Sequence, residues 1–122
     1  MFLDLKHTKL DIFPLSRKLV IECYKITNNF PAEEKFGMTS QIRRAALSVH
    51  LNIAEGCSRK SNAERCRFFE ISRGSVVEVD TAFDIALELN YVTRERLNLL
   101  GEYILQVFKL LSGLMSNSAI QN

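Results

Sequence analysis

The sequence predicts an all-α fold, an up-and-down antiparallel bundle of four helices, and three observations predict it. Glycine and proline are scarce, five and two in 122 residues, too few for the many turns of an all-β chain. Apolar residues recur every three or four positions through long segments rich in Leu, Ala, Glu, Lys and Arg. The connections between those segments are short, and short connections make sequential helices antiparallel neighbours.

The first helix begins after Asp11, with Ile12, Leu15, Leu19, Cys23 and Ile26 on one face. Asp11 is placed to cap it. Pro14 falls in the first turn, where a missing N–H does no harm. Asn28, Asn29 and Pro31 end the helix, because the residue before a proline is pushed out of α geometry. In the connection that follows, Phe30 and Phe36 are expected to plug onto the core.

The second helix is expected from Thr39 to about Gly56, with Ile42, Ala46, Val49 and Ile53 as its core stripe and Leu47, Leu51 and Ala54 widening it. Gly56 is expected to close it in a left-handed conformation. Ser61 and Glu64 have the spacing of a capping box and start the third helix, which the pattern carries from Asn62 to about Tyr91. One stripe on it comprises Phe69, Val76, Val79, Phe83, Ala86 and Asn90; a second comprises Phe68, Ile71, Ser75, Ala82, Ile85 and Leu89. Ser72, Gly74 and Ser75 predict close approach of another helix at its middle. Thr93 is the cap expected for a fourth helix, whose main stripe is Leu97, Leu100, Ile104, Val107, Leu111 and Leu114. Residues 1–10 and 116–122 are expected to be mobile tails of a single domain spanning 1–122. Apolar surface left over on the third and fourth helices predicts self-association.

Charge is unevenly placed. Residues 43–73 carry seven basic and three acidic side chains, whereas residues 74–92 carry four acidic and no basic ones. A cationic region of this kind attracts phosphate, and it equally suits an acidic patch on a second copy. Arg43, Arg44, Arg59, Lys60, Arg65 and Arg67 are the candidate nucleic-acid contacts, since guanidinium and ammonium groups donate to phosphate oxygens. Arg44, Ser48, Asn52, Glu55 and Arg59 share one helical face, which also reads as a solvated stripe with a Glu55–Arg59 pair. No aromatic set interleaves these cations, which argues against recognition by base stacking.

Catalytic chemistry finds little support. His50 and Cys57 are two helical turns apart, about 10 Å, too far for a nucleophilic couple. His7 has no neighbouring ligands at metal-site spacing, and Glu78, Asp80, Asp84 and Glu88 lack the Glu-x-x-His element of bundle metal sites. No glycine-rich phosphate loop occurs, so no cofactor is expected. Three cysteines without a CxxC pair suit a reducing cytoplasm. The N-terminal segment lacks signal-peptide organisation, and no run of about 18 apolar residues predicts a membrane span.

Three stretches carry a resemblance: LDIFPLSRKLVIECYKIT, FPAEEKFGMTSQIRRAALSVHLNIAEGCSRKS and FFEISRGSVVEVDTAFDIALELNYV, with TSQIRRAA and NIAEG the most specific. They resemble the bacterial four-helix bundle proteins encoded in intervening sequences of 23S rRNA genes, relatives of the accessory variability protein of diversity-generating retroelements. The resemblance implies a homopentameric ring, a basic surface expected to bind RNA or DNA and, for retroelement relatives, partnership with a reverse transcriptase. His50 stands where a proline is common in that family, which implies a straighter second helix. Function is thus expected to be non-enzymatic, either nucleic-acid binding through the basic surface or scaffolding of a protein partner by an oligomer.

Overall fold

The computed structural model describes residues 1–3, 5 and 10–121, with side chains to residue 116. Four helices form the bundle: α1 (Ile12–Thr27), α2 (Met38–Ser58), α3 (Asn62–Glu88) and α4 (Asn98–Gln121). Single 3-10 turns at Ala32–Glu34 and Glu95–Leu97 precede α2 and α4, and no strand occurs among the described residues. Each helix packs on its sequence neighbours, and α4 returns to α1 to close the square. His7 and the remainder of 6–9 lie outside the described residues, as do parts of both expected tails.

The core forms where the helical stripes converge. Leu19, Cys23 and Ile26 of α1 meet Ile42, Ala46, Val49 and Ile53 of α2, Val76, Val79, Phe83 and Ala86 of α3, and Leu100, Val107 and Leu111 of α4. Two serines cross the α2–α3 seam. Ser72 donates to the Val49 carbonyl at 2.7 Å and Ser75 to the Ser48 hydroxyl at 2.8 Å, so small polar residues let these helices approach without leaving buried polar atoms unpaired.

Local chemistry explains the helix ends. Ser61 accepts from the Glu64 amide at 3.1 Å and starts α3, and Thr93 accepts from Arg96 at 3.2 Å at the entry to the fourth helix. Asp11 occupies the cap position of α1 with helical backbone and makes no side-chain cap bond there. The Glu34 carboxylate does that work for α2, accepting from the Met38 amide at 3.0 Å and from the Tyr91 hydroxyl at 2.8 Å. These two bonds hold its pKa below the usual carboxylate value, while the same contact pushes the Tyr91 phenol up.

Several expectations are corrected. Gly56 is helical, not left-handed, and α2 continues to Ser58. Its role is close approach: a Cβ there would stand 2.8 Å from Phe69 Cε1 and 3.1 Å from Phe68 Cβ. Helix α3 stops at Glu88, earlier than periodicity suggested, because Asn90 adopts φ 62°. The Tyr91 amide bonds to Ala86 and the Asn90 amide to Leu87, the paired pattern that satisfies the last carbonyls of a helix. Asn90 is therefore a turn residue and not part of an apolar stripe. Gly74 has nothing within 4 Å of where its Cβ would be, so the close contact at this level belongs to Ser72 and Ser75 alone.

Phe30 packs into the core against Phe83 and Tyr91, whereas Phe36 is 89% exposed beside Lys35. Leu47 and Leu51 are also exposed, as are Ile71, Ile85 and Leu89 of the second α3 stripe. By length and composition, residues Glu95–Ser116 are apolar enough to cross a membrane, although polar residues such as Asn98, Glu102, Gln106 and Lys109 interrupt the stretch. In the bundle that stretch contributes Leu100, Val107 and Leu111 to the core and leaves Leu105 73% exposed.

Candidate nucleic-acid interface

The turn from α2 to α3 brings Arg59, Lys60 and Arg65 to one corner. Arg65 folds back over that turn, donating to the Arg59 carbonyl at 3.0 Å, to the Lys60 carbonyl at 3.4 Å and to the Asn62 side chain. Its guanidinium thus covers carbonyls released at the end of α2 and holds the corner in shape. Beneath it, burial pushes the Cys57 thiol up, with Arg65 opposing.

Arg59 lies 3.5 Å from Glu55, the i,i+4 pair read from the sequence, and its guanidinium stacks 4.9 Å from the Phe68 ring centroid. Phe68 is half-buried, so the ring expected in the core also serves as a platform for this cation. Phe68 lies three residues beyond Arg65, and apolar spacing alone gave no sign of this second use. Both partners of the Glu55–Arg59 pair are more than two-fifths exposed, which leaves the pair worth about 0.3–0.5 kcal/mol and easily exchanged for a phosphate. Lys60 and Arg67 are exposed, and among the described bonds none engages their side chains. The corner therefore offers Arg59 and Lys60 to solvent on a scaffold set by Arg65, and Arg67 adds an exposed cation in the second turn of α3.

The other two candidates stand apart. Arg44 is exposed about 22 Å up α2 from Arg59, at 1.5 Å per residue. Arg43 faces α1, where its Nε donates to Thr27 Oγ1 at 2.9 Å, its Nη2 to the Tyr24 carbonyl at 3.3 Å, and its guanidinium covers the Tyr24 ring at 4.6 Å. It ties α2 to the carbonyl end of α1, where a cation complements the helix dipole. Arg73 makes a similar tie to α4, reaching Ser112 at 3.2 Å and lying over Phe108.

The polar stripe from Arg44 to Arg59 runs along the α2–α3 seam. Ser48 bonds across it, Asn52 donates back to the Ser48 carbonyl at 2.9 Å, and Gln41 reaches Glu78 on α3. His50 leaves this face altogether and meets Ser16 at 2.6 Å, its ring 4.4 Å from that of Phe13. Ser16 Oγ also lies 3.0 Å from the Phe13 carbonyl, so its one proton serves that oxygen or His50 Nδ1 according to the imidazole tautomer. Among the described residues no group of three His, Cys, Asp or Glu side chains could hold a metal. Of the acidic residues on α3, Asp80 and Asp84 line a cavity of about 360 Å³ with Arg94 and Gly101, far along the helix from the cationic corner.

The family profile described as 23S rRNA-intervening sequence protein matches residues 8–113. Among solved structures, a protein of unknown function from the S23 ribosomal protein family of Bacteroides thetaiotaomicron superposes with a TM-score of 0.76 at 22% identity, covering 85% of this chain and 97% of that one. No curated protein matches the sequence. At that identity the structural likeness speaks for the fold.

Proposed function

The chain belongs to the family of 23S rRNA-intervening sequence proteins, and on that premise we propose that it is a non-enzymatic oligomeric bundle that binds the backbone of RNA or DNA. The observation that carries the reading is the corner at which Arg59 and Lys60 stand exposed while Arg65 fixes the turn beneath them, with Arg67 exposed in the second turn of α3. Phosphates are attracted there by charge, and the mechanism is counterion release with no base readout. Arg44 extends the cationic surface up α2, and Arg43 acts mainly as a structural tie.

A ring of five copies, as the family resemblance implies, would repeat the corner and turn modest affinity per subunit into avidity. Exposed Val77, Ile85, Leu105 and Phe108 on α3 and α4 support self-association. Cys23, Cys57 and Cys66 are free thiols, in keeping with the reducing cytoplasm of a bacterium. The same apolar faces favour a second reading, an oligomeric scaffold for a protein partner, with a reverse transcriptase as the partner for retroelement-associated copies.

Titration into structured RNA and duplex DNA at rising salt separates the two. Three phosphate contacts per subunit give a loss of roughly 20- to 40-fold between 50 and 200 mM salt. Absent or salt-independent binding leaves the scaffold reading.

A further inference from the structure

At the opposite end of α2 from the cationic corner, the connection between α1 and α2 borders an open cavity of about 290 Å³. Its wall includes Thr27, Lys35, Thr39 and Arg43, two cations and two hydroxyl side chains. Thr27 is committed already, donating to the Cys23 carbonyl at 2.7 Å and accepting from Arg43. Thr39 is buried, and none of the described hydrogen bonds uses its hydroxyl. Arg43 directs two of its N–H groups at Thr27 and Tyr24, and a guanidinium has five. Arg43 also covers the carbonyl end of α1, and the Glu34 carboxylate already occupies the N-terminus of α2, so the cationic groups left to an anion in the cavity are Lys35 and the remaining N–H groups of Arg43. Of the nearby carboxylates, Glu34 is held by the Met38 amide and Tyr91, and neither Glu33 nor Glu34 lines the cavity.

The cavity opens to solvent, so a phosphate group seated on Lys35 and Arg43 leaves whatever is attached to it free to extend outward. What stands outside is Phe36. Its ring is 89% exposed, and the Lys35 ammonium, from a residue lining the cavity, lies 5.4 Å from its centroid. An exposed aromatic ring beside a cationic pocket is the pairing that holds an unpaired nucleotide, base on ring and phosphate on cation.

We propose that the α1–α2 connection is a nucleotide subsite, in which Lys35, Thr39 and Arg43 bind a phosphate and Phe36 stacks the base. The subsite is about 24 Å along α2 from Arg59, measured from Arg43 at 1.5 Å per residue, and does not depend on the corner. Its ligand is either a free nucleoside monophosphate or an unpaired nucleotide in a strand.

The chain contains no tryptophan, so Phe36→Trp installs a single fluorescent reporter at the stacking position. The F36W protein is titrated with AMP, adenosine, inorganic phosphate and a 12-nucleotide oligoadenylate. Saturable quenching by AMP, weaker by about tenfold with adenosine and displaced by phosphate, is expected. Adding Lys35→Gln, at an exposed position, should weaken AMP about tenfold while leaving the helical circular dichroism unchanged. An oligoadenylate that binds more tightly than AMP assigns the site to a strand, and equal affinity assigns it to the free nucleotide. Substituting Arg59, Lys60 and Arg67 by Gln should leave AMP quenching intact even where backbone binding is lost. No saturable quenching by AMP or oligoadenylate, or quenching that Lys35→Gln leaves unchanged, overturns the proposal.

Discussion

Gly56 illustrates how one residue's neighbours decide its role. Alanine favours helix over glycine by about 1 kcal/mol in the interior of a helix, yet a methyl here would meet the Phe69 ring at 2.8 Å. Overpacking costs about 1–3 kcal/mol, so Gly56→Ala is expected to lower the unfolding free energy measured in urea, whereas Gly74→Ala, with open space at its Cβ, should raise it in the monomer by up to about 1 kcal/mol. Cys23 gives a chemical check on the same core. Burial, aided by the Glu22 carboxylate, pushes its thiol up to about 12, so at pH 8 iodoacetamide should label it only after unfolding. Glu34 gives a pH signature. Its folded pKa is depressed by the Met38 amide and Tyr91 hydroxyl, so its contribution is present above the ordinary carboxylate value and lost as pH falls through the folded one. Tyr91 is raised, and its contribution is present below the ordinary phenol value and lost as pH climbs through the raised one. Thermal melts of Glu34→Gln should lose both the acid-side and the alkaline-side dependence that this pair supplies. The Gly56 contact and the exposure of Phe36 were illegible in the sequence for one reason: apolarity and size say what a residue tolerates, while the neighbouring chain decides what it touches.

At the scale of elements, periodicity located all four helices because each has to bury a stripe of its own. The α2 stripe of Ile42, Ala46, Val49 and Ile53 is buried as read, and so are Val76, Val79 and Phe83 of α3. Helix ends were legible where a side chain does the capping. Ser61→Ala should cost about 1 kcal/mol by removing the bond to the Glu64 amide. The end of α3 was misjudged because it depends on the left-handed Asn90, which resembles any polar helix residue in a sequence. Replacing Asn90 by glycine should hold stability or raise it, and replacing it by valine should lower it by about 1–2 kcal/mol in chemical denaturation, since a β-branched side chain resists φ 62°. The candidate site divides along the same line. Arg59, Lys60 and Arg67 remain available because they occupy an outward turn and the first turns of α3, whereas Arg43 and Arg65 are drawn onto the carbonyl ends of α1 and α2. Sequence marked them as cations, but only the ends of neighbouring helices decided which were engaged.

For the whole molecule, the separation of charge along the α2–α3 hairpin links fold to proposed function. Antiparallel pairing sets Arg59, Lys60 and Arg67 at one end, and α3 then carries Glu78, Asp80, Asp84 and Glu88 toward the other. Lys35, Arg43 and Arg44 stand among the carboxylates at that other end, so its charge is mixed, and a polyanion is steered first to the α2–α3 turn. The direct test is fluorescence anisotropy of a labelled structured RNA, titrated at 50 and 200 mM salt with the native protein and with the Arg59→Gln, Lys60→Gln, Arg67→Gln variant. Light scattering on both proteins records their assembly. The corner predicts a steep salt dependence in the native protein, and at 50 mM salt a loss of at least tenfold affinity in the variant with its assembly unchanged. Equal affinity of the two proteins, or binding indifferent to salt, would contradict it.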